Sequence, residues 1–231
     1  MDSFILQTLN GISYSALLFL VASGFTLTFG LMRIVNMAHG AYYLVGGYAG
    51  LMVAKSTGSI WLAMLAGGLT GVVVGYVADR LFIRKAGEDH LAQVLITVGI
   101  AYIIGDLCLR VWGGDAQKLP LPLYLRGILE LPGGIIYPSF RIFLTAIGLV
   151  TAIALWLVYK KTYIGAAIRA GVDDREMVSA TGIHIDRLFI LISGLASFLA
   201  GVSGVLGGAF LTVYPGAEWE ILVFALVVVI V

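Results

Sequence analysis

Residues 24–50 read GFTLTFGLMRIVNMAHGAYYLVGGYAG. Two apolar stretches meet there at a short polar interruption, Arg33, Ile34, Val35, Asn36, Met37, Ala38, His39 and Gly40. A water-exposed turn between apolar helices usually carries Gly, Pro or several charges. This one holds a single Arg and is otherwise fit to sit at membrane depth. Non-helical backbone is tolerated there only where it is buried in protein or lines an aqueous cavity. The segment therefore reads in two ways, as a broken or re-entrant element or as a plain turn beside a hydrogen-bonded core histidine. Asn36 is placed to cap a helix beginning near Met37. His39 and Tyr43 lie four residues apart, on one helical face with Gly46 and Gly47.

The composition around this segment points to the same solvent. Of 231 residues, 60% are hydrophobic and 12% charged, against roughly 45–50% and about 25% in soluble domains. Mean hydropathy is +1.02. So few charges cannot screen so much apolar surface from water, whereas a bilayer is itself apolar. A bilayer core of about 30 Å takes roughly 20 apolar residues as helix. Such spans are expected at residues 12–30, 39–54, 60–78, 94–112, 140–159 and 188–213, with a seventh starting at Glu220. The alternation of a membrane β-barrel is not seen. The expected class is an all-α integral membrane protein, a polytopic bundle of about seven spans.

Lys and Arg between spans set the orientation. Arg80, Arg84 and Lys85 lie in loop 79–90. Lys160, Lys161, Arg169, Arg175 and Arg187 lie in segment 160–187. The two are an even number of spans apart and are read as cytoplasmic. Segment 113–139, with Pro120, Pro122, Pro132 and Pro138, is then external and reads as an extended capping loop. Lys55 and the N-terminus fall outside, Arg33 inside. No Lys or Arg precedes Arg33, so the basic start of a cleavable signal is missing. Cys108, the one cysteine, sits inside a span and reads as packing. The net charge of +1 gives no pointer to nucleic acid. Eleven residues after Glu220 are too few to cross a bilayer, so the sequence is expected to be a fragment or the native chain to continue.

Glycine is expected to set helix packing, because apolar helices in lipid associate through close approach of small residues. Gly67, Gly71 and Gly75 form one ladder, Ala196, Ala200, Gly204 and Gly208 another, and Gly46 with Gly50 a shorter one. Segment 160–187, KKTYIGAAIRAGVDDREMVSATGIHIDR, is the long charged stretch. It reads as two short helices, the second opened by Asp173 or Asp174 and closed by Gly182. Met177, Val178 and Thr181 fall at helical spacing. Such helices either rest on the interface or dock into a groove of a cytoplasmic partner, with Arg169 and Arg175 as rim charges.

At these two segments the chain resembles the permease subunits of bacterial branched-chain amino-acid (and urea or short-amide) ABC importers. GFTLTFGLMRIVNMAHGAYYLVGGY is similar to that family's first signature, which reads G-L-x-L-x-F-G, five residues, then N-x-A-H-G. GAAIRAGVDDREMVSATGIHIDR is similar to the loop that engages the ATPase. The two occur about 130 residues apart in the expected order, and the resemblance spans nearly the whole chain. It implies one permease domain over residues 1–231 lacking its C-terminal helices, with 160–187 as the coupling loop. It also implies a multi-pass place in the bacterial inner (plasma) membrane. Asn36, His39, Gly40 and Tyr43 are then expected along the substrate pathway. Gly165, Arg169, Ala170, Asp174, Glu176, Ala180 and Gly182 are expected to couple to the ATPase. The implied partners are cytoplasmic ABC ATPase subunits, a second homologous permease in a heterodimer, a periplasmic or extracellular solute-binding protein and the bilayer. No cofactor or metal is expected on this chain, ATP being bound by the partner. Three departures stand out. Ala41 occupies the place after A-H-G where an acid is common, Val178 and Ser179 replace small alanines, and a later glycine-rich segment would lie beyond Val231.

Other classes fare worse. No G-x-x-x-x-G-K-[ST] loop is present, so ATP must be hydrolysed elsewhere. Residues 201–204, GVSG, resemble an intramembrane serine-protease site, which needs a nearby base. His39 is expected at the cytoplasmic edge and Ser203 roughly 22 Å deeper, out of reach. An ion-coupled carrier places carboxylates at mid-membrane. Asp106 is the one span carboxylate visible in the sequence, and an ion pair with Arg110, four residues on, explains it more simply.

Overall fold

The computed structural model describes residues 2–32, 36–87, 89–131, 134–173 and 184–230. The elements in chain order are α1 (Asp2–Met32), α2 (His39–Thr57), α3 (Ile60–Leu81), α4 (His90–Trp112), β1 (Ile128–Leu131), β2 (Ile135–Pro138), α5 (Ser139–Lys161), α6 (Tyr163–Asp173), α7 (Ile185–Phe210) and α8 (Ala217–Ile230). Among the described residues, five helices are long and apolar enough to cross a membrane: 3–30, 60–86, 90–112, 139–161 and 187–210. The molecule is an all-α polytopic membrane bundle. α2 falls outside those five because His39, three tyrosines and four glycines dilute its apolar content. It is nonetheless the most enclosed element, buried from His39 to Ala54 on several sides.

Local chemistry fixes the helix starts. Ser59 opens α3 by accepting from the Leu62 amide, and Asp89 opens α4 by accepting from Leu91 and Ala92 at 3.0 and 3.1 Å. Gly58, at φ +67, closes α2 in the left-handed conformation that suits a residue without Cβ. α1 starts ten residues before the expected 12, because its leading turns carry Phe4, Ile5 and Leu6 in helical register.

Small residues let α2, α3 and α7 touch through their backbones. A Cβ at Gly201 would run into the backbone of Gly67 and Gly68, and one at Gly71 into the Ser197 carbonyl. Gly46 lies against Gly201 and Gly67, and Gly47 against Gly204. These contacts pair rising residues of α2 with rising residues of α7, so the two helices run parallel, with α3 antiparallel to both. The expected ladders meet here; Gly201, absent from them, lies at their centre.

Segment 113–139 differs from a plain extended loop. Residues 128–131 and 135–138 form an antiparallel hairpin, with Leu129 opposite Tyr137. Side chains of the second strand alternate between its two faces, Ile135 and Tyr137 being buried and Ile136 exposed. The same segment caps α7: Leu119 donates to Gly208 at 3.0 Å, and Gln117 pairs with Val213 at 2.8 Å in both directions.

Candidate substrate pathway and coupling surface

α2 begins two residues later than the sequence predicts. Asn36 does not cap the helix directly. Its Oδ1 accepts from Ala38 at 3.0 Å and its carbonyl from the His39 amide at 3.3 Å, which makes an Asx turn ahead of the first helical residue. The Met37 amide donates to Thr97 Oγ1 at 3.1 Å. Thr97 lies about two turns into α4, or roughly 10 Å along its axis.

His39 also lies deep. Its Nε2 meets the Val21 carbonyl at 3.1 Å, and its ring meets Phe25 edge-on at 5.7 Å between centroids. Val21 precedes Met32 by about three turns, roughly 16 Å of helix. A Cβ at Gly24 would stand 2.9 Å from His39 Cε1 and 2.7 Å from the Ala196 carbonyl. Ala196 is near the middle of α7. The expectation of a histidine at the cytoplasmic edge is therefore corrected: the chain re-enters the bundle before α2 starts. Three helix backbones crowd the ring, which is possible because Gly24 has no side chain. Among the described residues, Nδ1 of His39 has no hydrogen-bond partner. Ser203 Oγ bonds its own helix at Ala200, 2.8 Å away, and His39 is committed to α1, so no nucleophile–base pair forms.

Gly40 is where a second helix start arrives. A Cβ there would overlap the Glu218 carbonyl and press on Leu222. Beyond Phe210 the chain folds back, with Val213 against Gly208 and Gly47, and α8 opens at Ala217 inside the bundle. Ile221 and Ala225 of α8 then pack with Val21, Ala22 and Tyr43. Two helices thus begin side by side at mid-depth, one after a non-helical segment from each end of the bundle. Glu218 is 4% exposed, its Oε2 accepting from the Gly216 amide at 2.7 Å and its Oε1 facing Gly105 of α4. Asp106 is therefore not the one carboxylate within the spans. It pairs with Arg110 at 2.9 Å on an exposed face of α4, as its spacing predicts. Glu218 escapes sequence reading because an acid before an apolar run reads equally well as a first-turn helix residue.

Tyr43 is 1% exposed. A Cβ at Gly207 would collide with its hydroxyl, so that glycine makes the room. Tyr43, Leu211, Thr212, Tyr214, Ala217, Glu220 and Ile221 line a cavity of about 360 Å³. Asn36, His39, Gly40 and Tyr43 thus stand together around the start of α2.

Of the expected coupling residues, Asp174, Glu176, Ala180 and Gly182 lie outside the described residues. Arg175, Met177, Val178, Ser179 and Thr181 do so too. Gly165, Arg169 and Ala170 are on α6. Gly165 is buried against the carbonyls of Val158 and Tyr159, with its amide on Thr162 Oγ1 at 3.1 Å. Arg169 is not a free rim charge: it donates to the Tyr159 carbonyl and stacks 5.0 Å over the Tyr159 ring. Ile168 packs with Ile192 and, at the edge, Leu27, Leu188 and Phe189. α6 is therefore clamped to the ends of α5, α1 and α7, and Tyr163, Ala166 and Ala170 face outward.

Residues 7–231 match the protein family described as the branched-chain amino acid transport system / permease component. The chain is 24% identical over 219 residues to the high-affinity branched-chain amino acid transport permease BraD of Pseudomonas aeruginosa, covering 89% of this chain and 71% of that protein. It is 26% identical over 223 residues to LivH of Escherichia coli, covering 90% and 71%. A probable branched-chain amino acid permease LivH of Methanocaldococcus jannaschii is 27% identical over 205 residues, covering 84% and 63%. No solved structure matches the chain.

Proposed function

The chain belongs to the permease components of branched-chain amino acid transport systems, and from that premise we propose that it carries branched-chain amino acids through the plasma membrane as the membrane subunit of an ATP-driven importer. It is a transmembrane permease and not an enzyme; hydrolysis belongs to separate ATPase subunits, and a solute-binding protein supplies the substrate. The finer reading is that the second permease is a homologous, non-identical chain. ATP is held by the ATPase, and this chain needs no cofactor of its own.

One observation carries the pathway reading: α2 and α8 both start inside the bundle, with Gly40 against Glu218. Discontinuous helices that begin at mid-membrane are the usual way a transporter presents backbone to a polar solute. On this reading Asn36, His39, Gly40 and Tyr43 border the route. His39 and Asn36 hold the broken backbone in place, and Tyr43 faces the cavity beside it. Closure of the ATPase pair moves segment 160–187 as a rigid body, and the bundle rocks around the crossing.

The coupling half of the reading rests on the outward face of α6, where Ala170 is exposed beside the buried Gly165–Ile168 face. In the assembled transporter, Ala170→Trp fills a docking groove on the ATPase without touching the Arg169–Tyr159 clamp. Binding-protein-stimulated ATP hydrolysis should then fall to its unstimulated level. Stimulation equal to wild type would refute the docking assignment of α6.

A further inference from the structure

The 360 Å³ cavity beside Tyr43 has a chemical asymmetry. Leu211, Ala217 and Ile221 give it an apolar wall, and Tyr43, Thr212, Tyr214 and Glu220 contribute three hydroxyls and a carboxylate. No Lys, Arg or His among the described residues lines it. Among the described residues the ion pairs are Arg84–Asp79 and Arg110–Asp106, so Glu220 has no cationic partner. The Tyr214 hydroxyl lies beside it. Tyr43 is buried and lines the cavity. The volume is at the small end of the roughly 300–1,000 Å³ of ligand cavities.

We infer that this cavity is the solute-recognition site of the permease, taking a zwitterionic amino acid with an apolar side chain. Glu220 receives the α-ammonium group, Tyr43 donates to the α-carboxylate, and the side chain lies on Leu211, Ala217 and Ile221. A carboxylate lacking a cation among the described residues, hydroxyl donors and an apolar wall within one small volume match the three parts of such a molecule. Glu220 is itself exposed, so the cavity is open to a solute. Glu218, two residues earlier, is excluded from this role because its carboxylate is turned toward Gly105 and the Gly216 amide. The inference rests on the permease reading and deepens it.

The test uses the complete transporter in liposomes with radiolabelled leucine, measuring leucine moved and ATP hydrolysed in the same preparation. A hydrogen-bonded charge contact is worth enough that Glu220→Gln should lower leucine moved per ATP by about tenfold or more. Binding-protein-stimulated hydrolysis should persist, and Glu220→Asp should retain most transport. Tyr43→Phe should lower the same ratio by roughly three- to tenfold. An unchanged ratio in Glu220→Gln overturns the site. So does loss of both transport and stimulated hydrolysis in Glu220→Asp and Glu220→Gln alike, which would make Glu220 a structural residue. Absence of ATP-dependent leucine uptake by the wild-type complex is a different result and would overturn the permease reading beneath it.

Discussion

At the scale of single residues, the start of α2 is held by few and specific contacts. His39 gives one hydrogen bond to the Val21 carbonyl and fills the space that Gly24 leaves open. Replacing it by Leu keeps the volume and removes the bond, which should cost about 1 kcal/mol. Thermal unfolding of the detergent-solubilised protein measures that cost; uptake should fall further than stability does, because the re-entrant backbone loses its anchor. Equal stability and uptake in wild type and His39→Leu would make the imidazole mere filler. Gly207 offers an independent probe of Tyr43. Gly207→Ala places a methyl where the Tyr43 hydroxyl stands, and overpacking of this kind costs about 1–3 kcal/mol. The expected result is a lower melting temperature together with lost transport, partly restored by Tyr43→Phe in the same chain. Failure of that second change to restore either quantity would show that the hydroxyl is not what the methyl displaces. The residue types at this site were legible in the sequence: Asn36, His39 and Tyr43 stand out in an apolar stretch. Their depth was not, because a turn at the membrane edge and a re-entrant break use the same residues. Glu218 was hidden for a related reason, as an acid opening an apolar run fits an ordinary helix start.

At the scale of elements, helix packing follows from where glycine permits contact. Gly67, Gly71 and Gly75 were readable as a ladder from their four-residue spacing, and they do face α7. The partner residue at the centre, Gly201, was not readable, because which face of α7 meets α3 depends on the crossing rather than on spacing alone. The prediction is differential. Gly201→Ala drives a methyl into the Gly67 backbone and should destabilise the bundle by about 1–3 kcal/mol. Gly99→Ala, on a helix position with open space around the added Cβ, should be neutral or slightly stabilising because Ala is the better helix former. Melting curves of both variants in one detergent decide it; equal shifts would mean that α3 and α7 are not in backbone contact. The spans themselves were the easiest elements to read, since length and hydropathy fix them. The hairpin 128–138 was missed because its two prolines and its glycines advertise a loop, while the two strands are only four residues each.

For the whole molecule, everything depends on which side of the membrane α6 occupies. ATP is available only inside the cell, so a coupling surface that faced outward could not be driven by it. The charge pattern favours the inside for α6: Lys160, Lys161 and Arg187 flank it, Arg169 lies on it, Arg80 is in the last turn of α3, and Arg84 and Lys85 follow that helix. The structure ties these together, because α6 is clamped to the ends of α1, α5 and α7 and is therefore carried to whichever side those ends reach. Segment 113–139, capping the other end of α7, must then face outward. Cysteine labelling separates the two arrangements cleanly, since the native Cys108 is 1% exposed and should stay silent. Leu123, 85% exposed in the capping segment, should react as Leu123→Cys with a membrane-impermeant maleimide in intact cells. Lys161→Cys, on the exposed end of α5, should react only after the membrane is permeabilised. The reverse pattern would leave the helical bundle intact but place α6 where no nucleotide-driven subunit can grip it, and the importer mechanism would fail with it.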